Sequence, residues 1–297
     1  MNRAFRQTRI APTPSGFLHE GNAYAFVLTA ALAKIYGASI LLRIDDLDND
    51  RKRPEYIADV FDTLQWLGIA WNQGPKNSAE LDSEWTQHNR LHLYEAALQA
   101  LREQGLLYAC VCSRSDLARL KSPMDNEHTC RLGRLSLDTK DVAWRIRIPS
   151  QIELSYNEFG RGEVQFTEGD MPHDPVVRRR DGIPAYHIAS VCDDHHFGID
   201  LVVRGEDLRS STAVQLWLAD QLGFDGFRTA TFYHHPLLMD PNGEKWSKSA
   251  GAEAIKQFSE KKEASSALYR KLASFHGLGS EVFDLSTFAQ YLAQKLG

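Results

Sequence analysis

The alternation of short apolar runs with glycine-closed helical stretches is what most limits the folds open to this chain. Arg6 to Ala11 reads as a strand that ends in the turn Pro12-Thr13-Pro14-Ser15-Gly16. Asn22 to Tyr36 carries apolar residues at helical spacing and stops at Gly37, and Ala38 to Ile44 is an apolar run of strand length. Pro54 suits the first turn of a helix that runs to Leu67 and closes at Gly68. Gln87 to Gln104 is an amphipathic helix closed by Gly105. Strands and helices alternating at these lengths predict βαβ units and a parallel sheet.

The alternation breaks after Tyr108. A cysteine-bearing, glycine-interrupted segment runs to about Thr139, and strand-like stretches follow at Val142 to Ile148, Glu163 to Phe166 and Pro175 to Arg180. Alternation then resumes with Ala185 to Cys192 as a helix, Ile199 to Arg204 as a strand, Ser211 to Leu222 as a helix and Thr231 to His235 as a strand. Asn242-Gly243 marks a turn, and the tail reads as helical from about Ala252. The organisation expected is an α/β domain in two halves, 1–107 and 183–240, split by an insertion over 108–182 and followed by a helical region over 241–297.

The formal net charge of -5 excludes a protein coated in basic surface, so any nucleic-acid contact must be local. Arg145 and Arg147, Arg178-Arg179-Arg180 and the lysines between 245 and 262 are the candidate patches; solvated surface charge is the competing reading of each. No apolar run approaches the ~20 residues that cross a bilayer, so no membrane association is expected. Met1 to Arg6 has positive charge without the apolar core of a signal peptide, which makes the cytoplasm the expected location. In that compartment the close spacing of Cys110, Cys112 and Cys130 favours metal over a disulfide, with three free thiols as the alternative, while Cys192 falls on an apolar helix face and reads as core. His128 supplies a fourth ligand type, and three thiolates with one imidazole suffice for tetrahedral structural zinc. His195-His196 and His234-His235 read as solvated or core histidines rather than a second metal site.

Two stretches offer groups that handle phosphate. His19, Gly21 and Asn22 stand at the start of a helix, whose N-terminus adds partial positive charge and N–H donors. Lys245 and Lys248 flank Trp246-Ser247, two cations three residues apart, placed to clamp leaving phosphates. Thr8-Arg9-Ile10-Ala11-Pro12-Thr13-Pro14-Ser15-Gly16-Phe17-Leu18-His19-Glu20-Gly21-Asn22 resembles the HIGH signature of class I aminoacyl-tRNA synthetases, and Lys245-Trp246-Ser247-Lys248-Ser249 resembles their KMSKS loop. Leu42 to Asp48, Ala185 to Asp194 and Val203 to Leu208 resemble segments of the glutamyl branch of that class.

The resemblance implies a Rossmann-type catalytic domain split by an inserted zinc or acceptor-type domain, with a C-terminal helical subdomain. It also implies an enzyme that forms an aminoacyl adenylate from glutamate and ATP with Mg2+. Arg9 and Arg204 would hold the two substrate carboxylates, with Ala11, Thr13, Tyr186 and Ser190 lining the pocket. Asp45 stands where the branch has a glutamate that holds the ammonium, and is shorter by one methylene. His19, Gly21, Asn22, Glu206, Leu238, Lys245, Ser247 and Lys248 would bind ATP. Short members of the branch carry a tyrosine zinc ligand where this chain has Asn126. No anticodon-binding domain is expected in the chain, and such a short form resembles the glutamyl-queuosine tRNA(Asp) synthetases, which implies tRNA-independent activation and transfer to queuosine in the tRNA(Asp) anticodon stem-loop. The alternatives are adenylation of glutamate or a related amino acid with transfer to another acceptor, namely a tRNA 3′ end, a carrier protein or a small molecule, and a non-catalytic tRNA-binding relic.

Overall fold

The computed structural model describes residues 4–113, 115–116, 129–149, 152–166, 174–238, 255 and 264–296. Nine strands form among them: β1 (Gln7–Ile10), β2 (Ser39–Leu42), β3 (Leu107–Cys110), β4 (Ala143–Ile146), β5 (Ser155–Glu158), β6 (Gly162–Gln165), β7 (Val176–Arg178), β8 (Leu201–Gly205) and β9 (Thr231–His235). The main sheet has the order β2-β1-β8-β9-β5-β6. Its first five strands run parallel, and β6 folds back antiparallel on β5. Strands β3, β4 and β7 make a separate antiparallel sheet.

The expected parallel sheet is present, and its strands are apolar on both faces because both faces are covered. Ile40 and Leu42 belong to one buried cluster and Leu41 to the other; Leu201 and Val203 likewise oppose Val202. One cluster packs helix α1 (Glu20–Tyr36) and the C-terminal helices Ser266–Phe275 and Leu285–Leu296. The other packs the helices Leu91–Glu103, Tyr186–His196 and Arg209–Leu222. Helix α1 starts before the expected Asn22 because His19 caps it, and it ends at Gly37, whose φ of 73° is the left-handed conformation that favours glycine.

The stretch expected to be an insertion divides between the two sheets. β5 and β6 lie within 108–182, yet they extend the main sheet through Asn157↔Thr231 and Glu158↔Phe232. The polar sequence Ser155-Tyr156-Asn157-Glu158 gave no strand signal, because its buried Glu158 depends on a partner from β9. The expected helix from Gln87 is a 3-10 turn over Gln87–Arg90 followed by the α-helix Leu91–Glu103. Within the tail, Glu20 of α1 pairs with Lys271 at 2.9 Å, and the Tyr24 hydroxyl lies 2.7 Å from His276 Nδ1, which fixes the C-terminal helices beside the start of α1. No helix among the described residues is long and apolar enough to cross a membrane.

Candidate active site

The carboxyl ends of the five parallel strands carry a row of polar side chains. Arg43 directly follows β2, Arg9 lies on β1, Arg204 on β8, His234 on β9 and Glu158 on β5. A cleft of about 450 Å³ opens at this edge, where open α/β sheets bind ligands. Arg9, Ala11, Thr13, His19, Gly21, Asn22, Asp45, Tyr186, Arg204 and Leu238 all line it. Ser190 and Glu206 do not. Ser190 is buried beside Arg43 and faces a second cavity, while Glu206 is exposed and accepts from the Leu237 N–H at 3.4 Å. Lys245, Ser247 and Lys248 lie outside the described residues, as does His128.

At the start of α1, the groups expected to meet phosphate already meet one another. His19 Nδ1 accepts from the Gly21 N–H at 3.1 Å, and Asn22 Oδ1 accepts from the His19 N–H at 3.0 Å. This reciprocal cap orients the imidazole and assigns its roles: with Nδ1 accepting, the neutral ring carries its hydrogen on Nε2. Asn22 N–H bonds back to the His19 carbonyl at 2.8 Å, so the first turn is closed without a ligand.

Asp45 is not an isolated carboxylate. Arg43 grips it with two bonds, Nε to Oδ1 at 2.6 Å and Nη2 to Oδ2 at 3.1 Å. Arg43 Nη1 also donates to Asp194 at 2.6 Å, and Asp193 lies 3.7 Å from its Nε. Arg9 joins through Asp194 at 3.3 Å. Asp193 in turn accepts from Arg90 at 2.7 Å, Gln87 at 2.9 Å and Tyr94 at 2.7 Å. Burial alone would lower the Arg43 pKa, but the three aspartates hold it well above its ordinary value. Burial lifts the Asp45 carboxyl to about 6, against the pull of Arg43.

Arg204 has different company. It is 4% exposed, its Nη1 donates to Gln215 Oε1 at 2.8 Å, and its Nη2 donates to Thr212 Oγ1. Among the described residues its buried Nε has no hydrogen-bond partner. Burial pushes its pKa down to about 10, with Tyr186 pulling the other way. A buried cation without an anion is costly, and this one borders an open cleft.

The second cavity, about 620 Å³, adjoins the first through Thr13, Asp45 and Tyr186 and is bordered by Arg51, Arg145, Arg179 and Arg180. Several arginines expected at a tRNA surface have partners inside the protein. Arg145 bonds the Asp174 carbonyl, Arg147 stacks on Tyr108, Arg178 stacks on Trp144, and Arg179 pairs with Asp181 at 2.7 Å.

Cys110 ends β3, Cys112 follows it, and Cys130 lies on the short helix Thr129–Leu132. Their sulfurs lie within 4.8 Å of one another, with Cys112 and Cys130 at 3.7 Å. A tetrahedral ion with Zn–S bonds near 2.3 Å sets its sulfurs about 3.8 Å apart, a spacing that the Cys112–Cys130 pair already has. Cys192 is buried core as expected, and His195 stacks on Phe224 at 4.1 Å.

The residues that sequence reasoning passed over are partners of its candidates: Arg43, Arg90, Asp193, Asp194, Thr212, His234 and Glu158. One signal was available. Arginines ending three apolar strands, at 9, 43 and 204, require buried acceptors, and Asp193-Asp194 at the end of an apolar helical stretch could supply them.

A family description, tRNA synthetases class I (E and Q), catalytic domain, matches residues 6–281. The glutamate–tRNA ligase 2 of Syntrophus aciditrophicus (strain SB) is 34% identical over 96% of this chain and 61% of its own length. The glutamate–tRNA ligase of Synechococcus sp. (strain JA-3-3Ab) is 32% identical over 95% and 60%. The chain thus spans about three-fifths of the length of these curated relatives. In fold it is similar to the glutamate tRNA ligase of Elizabethkingia meningosepticum CCUG26117, solved in complex with its amino acid, with a TM-score of 0.75 at 22% identity over 96% of this chain and 64% of that one. The glutamate–tRNA synthetase of Elizabethkingia anophelis gives 0.76 at 21% identity, over 97% and 66%. These relatives overturn the expected transfer to queuosine in tRNA(Asp): they are named for joining glutamate to tRNA, and chain length alone had carried the queuosine reading. With the α/β class I synthetase fold, its inserted sheet and the family match over most of its length, the chain belongs to the class I tRNA synthetases of the glutamyl and glutaminyl group, through their catalytic domain.

Proposed function

We propose that this chain activates glutamate with ATP and passes it to the 3′ end of a tRNA. The observation that carries this reading is Arg204, a buried guanidinium with neutral partners at the wall of the cleft. A ligand carboxylate supplies the missing anion, and a guanidinium binds it in a fork. Glutamate has a second carboxylate for Arg9 and an ammonium for Asp45. Ala11, Thr13 and Tyr186 complete the walls around it. The relatives' names support both the amino acid and the tRNA.

In the reaction, the α-carboxylate of glutamate attacks the α-phosphorus of ATP. A new P–O bond forms as the bond to pyrophosphate breaks, so no side chain acts as a covalent nucleophile. The protein positions the two reactants and stabilises charge on the phosphate oxygens. His19 Nε2, Gly21, Asn22 and Leu238 serve the nucleotide on one side; Lys245, Ser247 and Lys248 serve it on the other, with Mg2+ bound to ATP. Residues 1–107 and 183–240 form the two halves of the catalytic body, 241–297 the lysine loop and helical region, and 108–182 the insertion, with β5 and β6 given to the body. Cys110, Cys112 and Cys130, with His128, hold a structural zinc ion. Arg179 and Arg180, at the second cavity, take tRNA phosphates.

ATP–pyrophosphate exchange across the twenty amino acids, with and without bulk tRNA, tests activation. Glutamate-dependent exchange is expected; its absence under both conditions overturns the reading. The acceptor is tested by charging intact tRNA beside tRNA trimmed of its terminal adenosine. Only the intact form is expected to accept glutamate, and labelling of the trimmed form would exclude the 3′ end.

A further inference from the structure

Behind Arg204, on the side away from the cleft, an unbroken hydrogen-bond chain runs to a carboxylate. Arg204 Nη2 donates to Thr212 Oγ1. Thr212 Oγ1 lies 2.7 Å from His234 Nε2, and His234 Nδ1 lies 2.6 Å from Glu158 Oε2. Glu158 Oε1 accepts from the His234 N–H at 2.9 Å. A guanidinium only donates and a carboxylate only accepts, so His234 donates from Nδ1 to Glu158. Burial favours the neutral ring, and in that form Nε2 accepts and Thr212 donates to it. The Thr212 hydroxyl has a second acceptor, the Leu208 carbonyl, at the longer distance of 3.2 Å.

All four groups are buried: Thr212 fully, Arg204 at 4%, and the side chains of His234 and Glu158 at 5% and 7% exposed. Of the four, only Arg204 lines the cleft. Arg204 and His234 are register partners on β8 and β9, and Glu158 arrives from β5. The arrangement separates two requirements that conflict in a carboxylate pocket. Arg204 must be held in one orientation, which calls for acceptors. It must also keep its charge available, which excludes a carboxylate in direct contact. If Glu158 paired with Arg204 directly, the pocket would be neutral and a carboxamide would suit it as well as a carboxylate.

We propose that Thr212, His234 and Glu158 are positioning residues, a relay that orients Arg204 while holding its anchoring carboxylate two groups away, so that the pocket selects a side-chain carboxylate over a carboxamide. The inference rests on the reading of Arg204 as the ligand of a glutamate carboxylate, and assigns it the side-chain one. It also gives the polar strand β5 a purpose, since Glu158 ends β5 at the same sheet edge.

Two measurements test the relay. The first is pyrophosphate exchange, with tRNA present, for Thr212→Val, Thr212→Ser and Glu158→Gln. Thr212→Val is expected to raise KM for glutamate about tenfold or more and to narrow the preference for glutamate over glutamine, as loss of a hydrogen bond to a charged group does. KM for ATP should stay near wild type while Tm falls modestly, since two buried groups lose a partner, Thr212→Ser should restore glutamate KM, and Glu158→Gln should narrow the same preference. An unchanged glutamate KM in Thr212→Val, or an equal rise in both KM values, overturns the relay. The second is 15N NMR of the imidazoles near neutral pH, with His234 assigned by the signal lost in His234→Gln. A neutral ring protonated on Nδ1 is expected; an Nε2-protonated or charged ring overturns the relay whatever the enzyme does. If the wild type shows no glutamate-dependent exchange, the functional reading fails first. An Nδ1-protonated His234 would then retain the hydrogen-bond chain but overturn its role in glutamate selection.

Discussion

Arg43 and Arg204 stand at the ends of parallel strands in the same sheet, and both are buried, yet their surroundings are opposite. Arg43 is enclosed by Asp45, Asp193 and Asp194 and is held in its charged form beyond the ordinary arginine range. Arg204 has an amide and a hydroxyl for company, and burial weakens its hold on the proton. The difference separates scaffold from site. A cation whose charge is already matched inside the protein can brace the sheet edge but has little left for a ligand. A cation whose match is missing is expensive until a ligand arrives. Arg9 lies between them: it contacts Asp194 and also lines the cleft, so its charge is shared.

Breaking the closed side should cost the fold most. Asp193→Ala strands Arg90 and Arg43 in the interior and is expected to destabilise the protein by about 3–5 kcal/mol, read by urea denaturation. A loss below ~1 kcal/mol would mean that the cluster is not a brace. On the open side, Arg204→Met keeps the volume and removes the charge. Its stability should change by no more than about 1 kcal/mol. Glutamate-dependent exchange should fall about 100-fold or more, because a carboxylate loses its charged fork. If Arg204→Met unfolds the protein as Asp193→Ala does, Arg204 is scaffold after all.

Asp45 sharpens the contrast, since it belongs to the closed cluster but borders the cleft. An acid is charged above its pKa, and burial holds this one at about 6. As pH falls from 7 to 5 its ionised fraction drops roughly tenfold, so KM for glutamate should rise by about that factor, and Asp45→Asn should flatten the profile. A wild-type profile already flat over that range would separate Asp45 from the substrate ammonium. The smallest effect belongs to the cysteine cluster, which starts from β3 in the separate antiparallel sheet. Purified protein should carry about one zinc per chain, and Cys112→Ser should lower that content while leaving exchange within roughly threefold. Metal-free wild type would remove the zinc assignment.

Much of the fold was legible in the sequence because it is written in local periodicity. The apolar runs of β1, β2, β8 and β9 and the glycine stops at Gly37 and Gly105 sit close to their expected places. The strand β5 was not legible, since Ser155-Tyr156-Asn157-Glu158 lacks an apolar pattern and is completed by His234 from another strand. At the site, the candidates drawn from the first motif, Arg9 through Asn22, come to one cleft, but their bonding was hidden. His19 and Asn22 read as phosphate ligands; the structure shows them first as a reciprocal cap. Asp45 read as the partner of a substrate ammonium, and it is gripped by its neighbour Arg43.

The sequence by itself determined that the chain alternates strand and helix, that an insertion interrupts this order, and that glutamyl-type synthetase motifs stand at its two ends. Those features depend on residues close together in the chain, where spacing and side-chain type are enough. Only the tertiary structure decided which buried charges neutralise one another. Arg43 and Asp194 are 151 positions apart, and Glu158 and His234 are 76 apart. Electrostatic pairing depends on distance in space and on exclusion of water, neither of which the order of residues records. That is why the same residue type is matched by aspartates at 43 and by neutral groups at 204.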